Sequence, residues 1–147
     1  MDRTSTTLTE ALDHTTADLG RTDTKAGLIL TLDGLLVASL SLLGTGLKGP
    51  ALVLAATGAV ALIASVVLAL YVIRPRIGGS TYQDRASYAF YAEASPEDLA
   101  QALAEDRRQD RLQVLSLIAL RKMRLLRVAG DTTLVAVVTI AAAILTR

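Results

Sequence analysis

The feature that most constrains this chain is the run from Ala51 to Ile73, 23 residues without a charged side chain. As a helix it would be about 34 Å long, enough to cross a hydrocarbon core of about 30 Å. Its twelve Leu, Ile and Val residues favour insertion by about 4 to 7 kcal/mol, with nothing opposing them. A soluble domain of 147 residues can hardly bury such a helix on every side. The run therefore reads as a membrane span.

Two weaker segments flank it. Residues 26–46 carry ten Leu, Ile and Val residues but include Asp33. A carboxylate at mid-membrane costs about 2.5 to 3.5 kcal/mol, which removes much of the gain, yet the segment is still expected to span. Gly44-Thr45-Gly46 and Gly49-Pro50 predict a tight turn, so spans 26–46 and 51–73 form a helical hairpin. Residues 128–146 offer 19 positions with only eight strongly apolar side chains, and Asp131 sits near the start. Counted from Thr132, that segment covers only about 22 Å, so it needs Val128 to Gly130, local thinning or a neighbouring helix to finish a crossing. A helix packed along the other two is the alternative. The expected fold class is an all-α integral membrane protein in a single domain over 1–147. It comprises a hairpin of two spans, a cytoplasmic helical region over 74–127 and a third, C-terminal span.

Lys and Arg placement orients the spans. Of fifteen such residues, only Lys48 and Arg147 fall on the far side in a three-span arrangement. Arg21 and Lys25 precede the first span, and Arg74-Pro75-Arg76 follows the second. That asymmetry places the N-terminus and residues 74–127 in the cytoplasm, with the spans in the inner (plasma) membrane. Residues 1–25 are polar and precede no small-residue cleavage pattern, so the first apolar segment is expected to stay in the mature protein. A formal net charge of +1 points to no particular partner, and nucleic acid is not expected. With no Cys and one His, His14, the chain offers no disulfide, thiol chemistry or histidine metal site. No cofactor is expected. Only Asp33 lies well inside the apolar segments, so no nucleophile–base or paired-acid arrangement suggests an enzyme.

The cytoplasmic pieces are read as follows. Residues 5–25 form a polar helix with Leu8, Leu12 and Leu19 as its large apolar side chains. Gly78-Gly79-Ser80 breaks the chain, and Tyr82, Tyr88, Phe90 and Tyr91 cluster just beyond it. The cluster suits a small cytoplasmic core or an interfacial belt, with a ligand platform as the alternative. Ser95-Pro96-Glu97-Asp98 is a helix start, with Ser as cap, Pro in the first turn and acids beside it. The helix is expected to run from there across the charged stretch 105–111 and on to Val128. Leu115, Ile118 and Leu125 should share one face. Arg121, Lys122, Arg124 and Arg127 then form a basic cluster before the third span. It suits topogenic anchoring and lipid head-groups, or a clamp on an anionic ligand or a partner carboxylate.

Two stretches resemble the Pycsar effector family, the small transmembrane effectors of pyrimidine cyclase antiviral defence. Thr22-Asp23-Thr24-Lys25-Ala26-Gly27 resembles that family's Asp-x-Lys-Ala element at the mouth of its first span. Lys122-Met123-Arg124-Leu125-Leu126-Arg127-Val128-Ala129 is similar to its Lys-Tyr-Arg-containing run before the last span. Met123 stands where the family often has an aromatic residue. The order of segments fits as well, so the resemblance covers nearly the whole chain. It implies a membrane effector, switched on by cyclic UMP or cyclic CMP during infection, that then compromises the inner membrane. The sequence contains no recognisable cyclic-nucleotide-binding β-roll or phosphate loop, and the one glycine-rich candidate, Gly78-Gly79-Ser80, reads rather as a turn.

Asp23 and Lys25 lie at the cytoplasmic edge of the first span, at the depth of Lys122, Arg124 and Arg127 before the third. Asp23 is expected to pair with that cluster and latch the bundle. Asp33 either lines a cation pathway as a ring in an oligomer or is a satisfied polar residue bonded to a neighbouring helix. Ala61, Ser65 and Ala69, and likewise Gly34 and Ala38, recur at four-residue spacing and allow close helix approach, including in a homo-oligomer. A non-catalytic membrane scaffold or accessory subunit is the competing reading. Cyclic nucleotide should depolarise cells carrying an effector and leave cells carrying a scaffold unchanged.

Overall fold

The computed structural model describes residues 3–42, 44, 46–74, 88–104 and 106–147. The expected break at Gly78-Gly79-Ser80, together with Arg76 and Tyr82, lies outside them. Five helices follow in order: α1 (Arg3–Leu42), α2 (Pro50–Ile73), α3 (Tyr88–Glu93), α4 (Pro96–Ala104) and α5 (Arg108–Leu145). No strand occurs among the described residues. Three helices, α1, α2 and α5, are long and apolar enough to cross a membrane.

The polar helix expected over 5–25 and the first apolar segment are one continuous helix, α1. It ends at Leu42 rather than at Gly46. The reason is local: Gly44 takes φ +71° and Gly49 takes φ +56°, a region that glycine enters without the Cβ clash other residues meet. Pro50 then opens α2 at a position where its missing N–H is not needed. At Ser95 the expected cap is present. Its Oγ accepts the Asp98 backbone N–H at 3.1 Å and donates to the Asp98 carboxylate at 2.8 Å.

The single helix expected from Ser95 to Val128 is a correction. α4 stops at Ala104, and α5 starts at Arg108. The Asp106 carboxylate accepts the Arg108 backbone N–H at 3.3 Å and the Arg108 guanidinium at 2.7 and 2.9 Å. A short acid bonding a backbone donor two residues on competes with helical continuation. Asp106 thus pairs with a residue two positions on, which side chains on one continuous helix face do not do.

The described residues form two compact units. One comprises the start of α1, α3, α4 and α5 up to Ala119. In it Ala102 is buried, Phe90 and Tyr91 meet edge to face at 6.2 Å, and Arg108 donates to the Thr9 hydroxyl at 3.2 Å. The other comprises Leu19–Ile73 and Leu120–Arg147. Here α1 and α2 run antiparallel, and α5 runs parallel to α1. One apolar layer joins Ala26, Val72 and Leu126, and another joins Leu62, Ala136 and Ile140, with Leu36 and Leu40 against them.

The interior of this second unit is built from small and polar side chains. Ala26, Ala51, Ala55, Ala69, Ala129, Ala136 and Ala143 are buried, as are Thr22, Asp33, Ser65 and Thr133. Apart from Leu62, Val72, Leu126 and Ile140, which are buried, many of its large apolar side chains point outward, among them Leu28, Leu35, Val53, Val60, Ile63, Leu134 and Val138. Where α2 meets α5, Gly58 leaves so little room that a Cβ there would lie 2.7 Å from Ile140 Cγ1. Small residues inside and large apolar ones outside is how helices pack when acyl chains are the solvent. Exposed hydroxyls fit the same environment, because Thr31, Ser39, Ser41 and Thr57 each donate to the carbonyl four residues back, leaving no hydroxyl proton unbonded.

Candidate functional site

Two polar arrangements stand out within the second unit, one at the end of the bundle marked by Lys25 and Ile73 and one deep inside. At that end Lys122 Nζ lies 2.6 Å from Asp23 Oδ1. The two side chains retain 22% and 43% of their exposure, so the pair is partly withdrawn from solvent. Below it the buried Thr22 hydroxyl donates to Met123 Sδ at 3.6 Å. Position 123, which the resemblance marks as often aromatic, is therefore a contact between α1 and α5. Of the residues expected around Asp23, the fold brings in only Lys122. Lys25, Arg124 and Arg127 are exposed and form no ion pair with a described residue.

The deep arrangement centres on Asp33, which is fully buried. Its Oδ2 accepts the Ser65 hydroxyl of α2 at 2.7 Å, and its Oδ1 accepts the Thr133 hydroxyl of α5 at 3.0 Å. The two hydroxyls lie 2.7 Å from each other. Both also have the Ala129 carbonyl within reach, at 3.2 Å from Ser65 and 3.1 Å from Thr133. No buried side-chain nitrogen or oxygen lacks a partner among the described residues. One polar residue from each of three helices therefore closes a satisfied cluster, the form in which polar groups are tolerated away from water.

Depth follows from helix rise. Asp33 lies eight residues from Lys25, and Ser65 lies eight residues from Ile73, so the cluster sits about 12 Å inside that end of the bundle. Asp33 is thus placed as a carboxyl bonded to neighbouring helices, facing the inside of a single chain. Of the two four-residue patterns, Ser65 and Ala69 are buried while Gly34 and Ala38 are exposed. Ser65 was legible only as a small residue, and Thr133 carried no signal of its own. A search for hydroxyls at equal depth in apolar segments would have found both. No group of three or more His, Cys, Asp or Glu side chains among the described residues is arranged to hold a metal.

What this arrangement offers chemically is a set of polar fastenings between apolar helices. Compared with known proteins, residues 7–147 match the model of the Pycsar effector protein domain. Neither curated proteins nor solved structures yielded a significant match.

Proposed function

The chain belongs to the Pycsar effector family, and from that premise we propose an inner-membrane effector that impairs membrane integrity when cyclic UMP or cyclic CMP signals infection. Family membership supports antiphage defence as the setting. The observation that carries the membrane part is the inverted packing of the second unit, with alanines, hydroxyls and Asp33 making up much of the interior and many Leu, Ile and Val side chains exposed. In this reading α1, α2 and α5 each cross the bilayer, and their basic ends lie in the cytoplasm, as Lys and Arg placement favours. Tyr71, exposed two residues before the end of α2, suits the interface on that side.

Asp23 and Lys122 act as the latch. They tie α1 to α5 at the membrane surface, and partial burial makes the pair worth more than the roughly 0 to 1 kcal/mol of an exposed one. The Asp33–Ser65–Thr133 cluster holds the same helices at depth. The effector works as a homo-oligomer, for which the exposed Gly34 and Ala38 of α1 leave room for close approach.

Induced expression with a potential-sensitive dye tests the reading. Supplying cyclic UMP or cyclic CMP should depolarise cells that express the wild-type chain and leave vector-only cells polarised. An unchanged potential with both nucleotides would count against the effector role. Asp23→Ala should insert normally yet depolarise cells without nucleotide, or at a lower dose. Wild-type behaviour of that variant in both insertion and depolarisation would remove the latch.

A further inference from the structure

Asp131 is the one carboxylate of the three long helices that is both deep and uncovered. It lies two residues before Thr133, and hence about 3 Å from the depth of the Asp33 cluster and about 9 Å inside the level of Ile73. Unlike Asp33 it is exposed, and it makes no hydrogen bond or ion pair with a described residue. An Asp side chain is too short to reach the head-group layer from there. A carboxylate against acyl chains is strongly disfavoured, so such residues face water, a counter-charge or another protein surface.

The surface around it shows which. Arg124, Val128, Asp131, Val135, Val138, Ala142 and Leu145 recur at alternating steps of four and three, the spacing of a helix–helix seam. Val128, Val135, Val138 and Leu145 are between 47% and 86% exposed, so no described residue covers these seam positions. Arg127 flanks it one turn from Asp131, is also exposed, and makes no ion pair with a described residue. Copies of the chain in one membrane share a topology, so their α5 helices can pack only in parallel, with equal residues at equal depth. Arg127 of one copy then lies about 6 Å along the axis from Asp131 of the next, a gap that a guanidinium on a long stem can bridge toward the membrane interior.

We propose that the exposed α5 seam is an interface between copies of this chain, fastened by Arg127 of each copy on Asp131 of the other. The pairing is self-complementary, as a two-fold interface requires. In each chain it covers a carboxylate about 9 Å inside the level of Ile73 and a guanidinium about 3 Å inside it. The inference rests on the proposed membrane placement of α5.

The chain has no cysteine, so single-cysteine cross-linking of the full-length protein in native membranes reads the seam directly. Val135→Cys should form disulfide-linked dimers, whereas Ile63→Cys on the outer face of α2 should not. Adding Asp131→Arg, or separately Arg127→Asp, should lower the Val135→Cys yield by about tenfold or more, since each places like charges across the seam. Co-expressing those two variants, each carrying Val135→Cys, should restore the yield to within about twofold of the parent, because mixed pairs again oppose unlike charges. Asp131→Asn, a milder change, should lower the yield by about threefold. Equal cross-linking of Val135→Cys and Ile63→Cys would overturn the proposal, as would insensitivity to every charge change. Failure of the mixed pair to recover would instead assign the Arg127–Asp131 pairing to a single chain. Carbonate extraction is the control on the premise. If the parent chain leaves the membrane fraction, the membrane placement has failed, whereas loss of cross-linking with the chain still retained is specific to the seam.

Discussion

Asp33 is held by hydroxyls from two other helices, and both hydroxyls keep the Ala129 carbonyl within reach. Removing the carboxyl therefore strands neither hydroxyl proton, which moderates the cost. Asp33→Leu is expected to lose about 1 to 3 kcal/mol of stability in detergent, from lost hydrogen bonds and overfilling together. Asp33→Asn, which keeps the shape and an acceptor, should lose less. Thermal unfolding of the two variants beside wild type checks the order, and a Leu variant as stable as wild type would remove the structural role. Asp106 behaves differently because it is solvent-exposed. The Arg108 guanidinium, and next the Arg108 backbone N–H, hold its carboxyl down at about 2 from the ordinary 3.8. A depressed carboxyl favours the folded state above its ordinary range, and that contribution disappears as pH falls from about 4 toward 2. Carboxyl NMR should place the Asp106 midpoint near the lower value. Arg108→Ala should return it toward 3.8, and an unmoved midpoint would show that Arg108 is not the cause.

At the scale of elements, close approach of α2 and α5 depends on Gly58. A Cβ there would meet Ile140 Cγ1 at 2.7 Å and Thr139 Oγ1 at 3.0 Å, and Ile140 is itself buried against Leu62. Gly58→Ala should therefore cost about 1 to 3 kcal/mol in bundle stability. Gly34 on α1 meets nothing within 4 Å, so Gly34→Ala should leave the isolated bundle at or slightly above wild-type stability, as helix propensity favours Ala. Unfolding both variants in detergent separates packing from propensity, and equal losses would refute the close approach. Helix ends were largely legible in the sequence, since the Ser95 cap, the Gly44 and Gly49 turn and Pro50 each act through their immediate neighbours. The interruption at Asp106 was not, because the spacing of charges over 105–111 fits a solvated helix equally well.

For the whole molecule, the Asp23–Lys122 pair and the Asp33 cluster fasten the same helices at two depths about 15 Å apart, judged from the ten residues between Asp23 and Asp33. Sites that far apart and without shared partners should contribute additively. Combining Asp23→Ala with Asp33→Asn should then destabilise by the sum of the single losses to within about 0.5 kcal/mol. A larger departure in thermal unfolding would show that the two fastenings are coupled through the helices between them.

Membrane character and the three long apolar helices were legible in the residues alone, because insertion sums over some twenty residues and needs no knowledge of neighbours. The sequence also brought Asp23 and Asp33 forward, since an acid beside or inside such a segment is conspicuous wherever it points. Their partners were set by how the helices pack. Lys122, Arg124 and Arg127 lie within six positions, yet a helix turns by about 100° per residue, so the rotation of α5 against α1 selects Lys122 and leaves the two arginines outside. The same rotation turns Thr133 inward to Asp33 and Asp131 outward to the seam. Spacing along one helix fixes which residues share a face, and packing against the others fixes what that face meets.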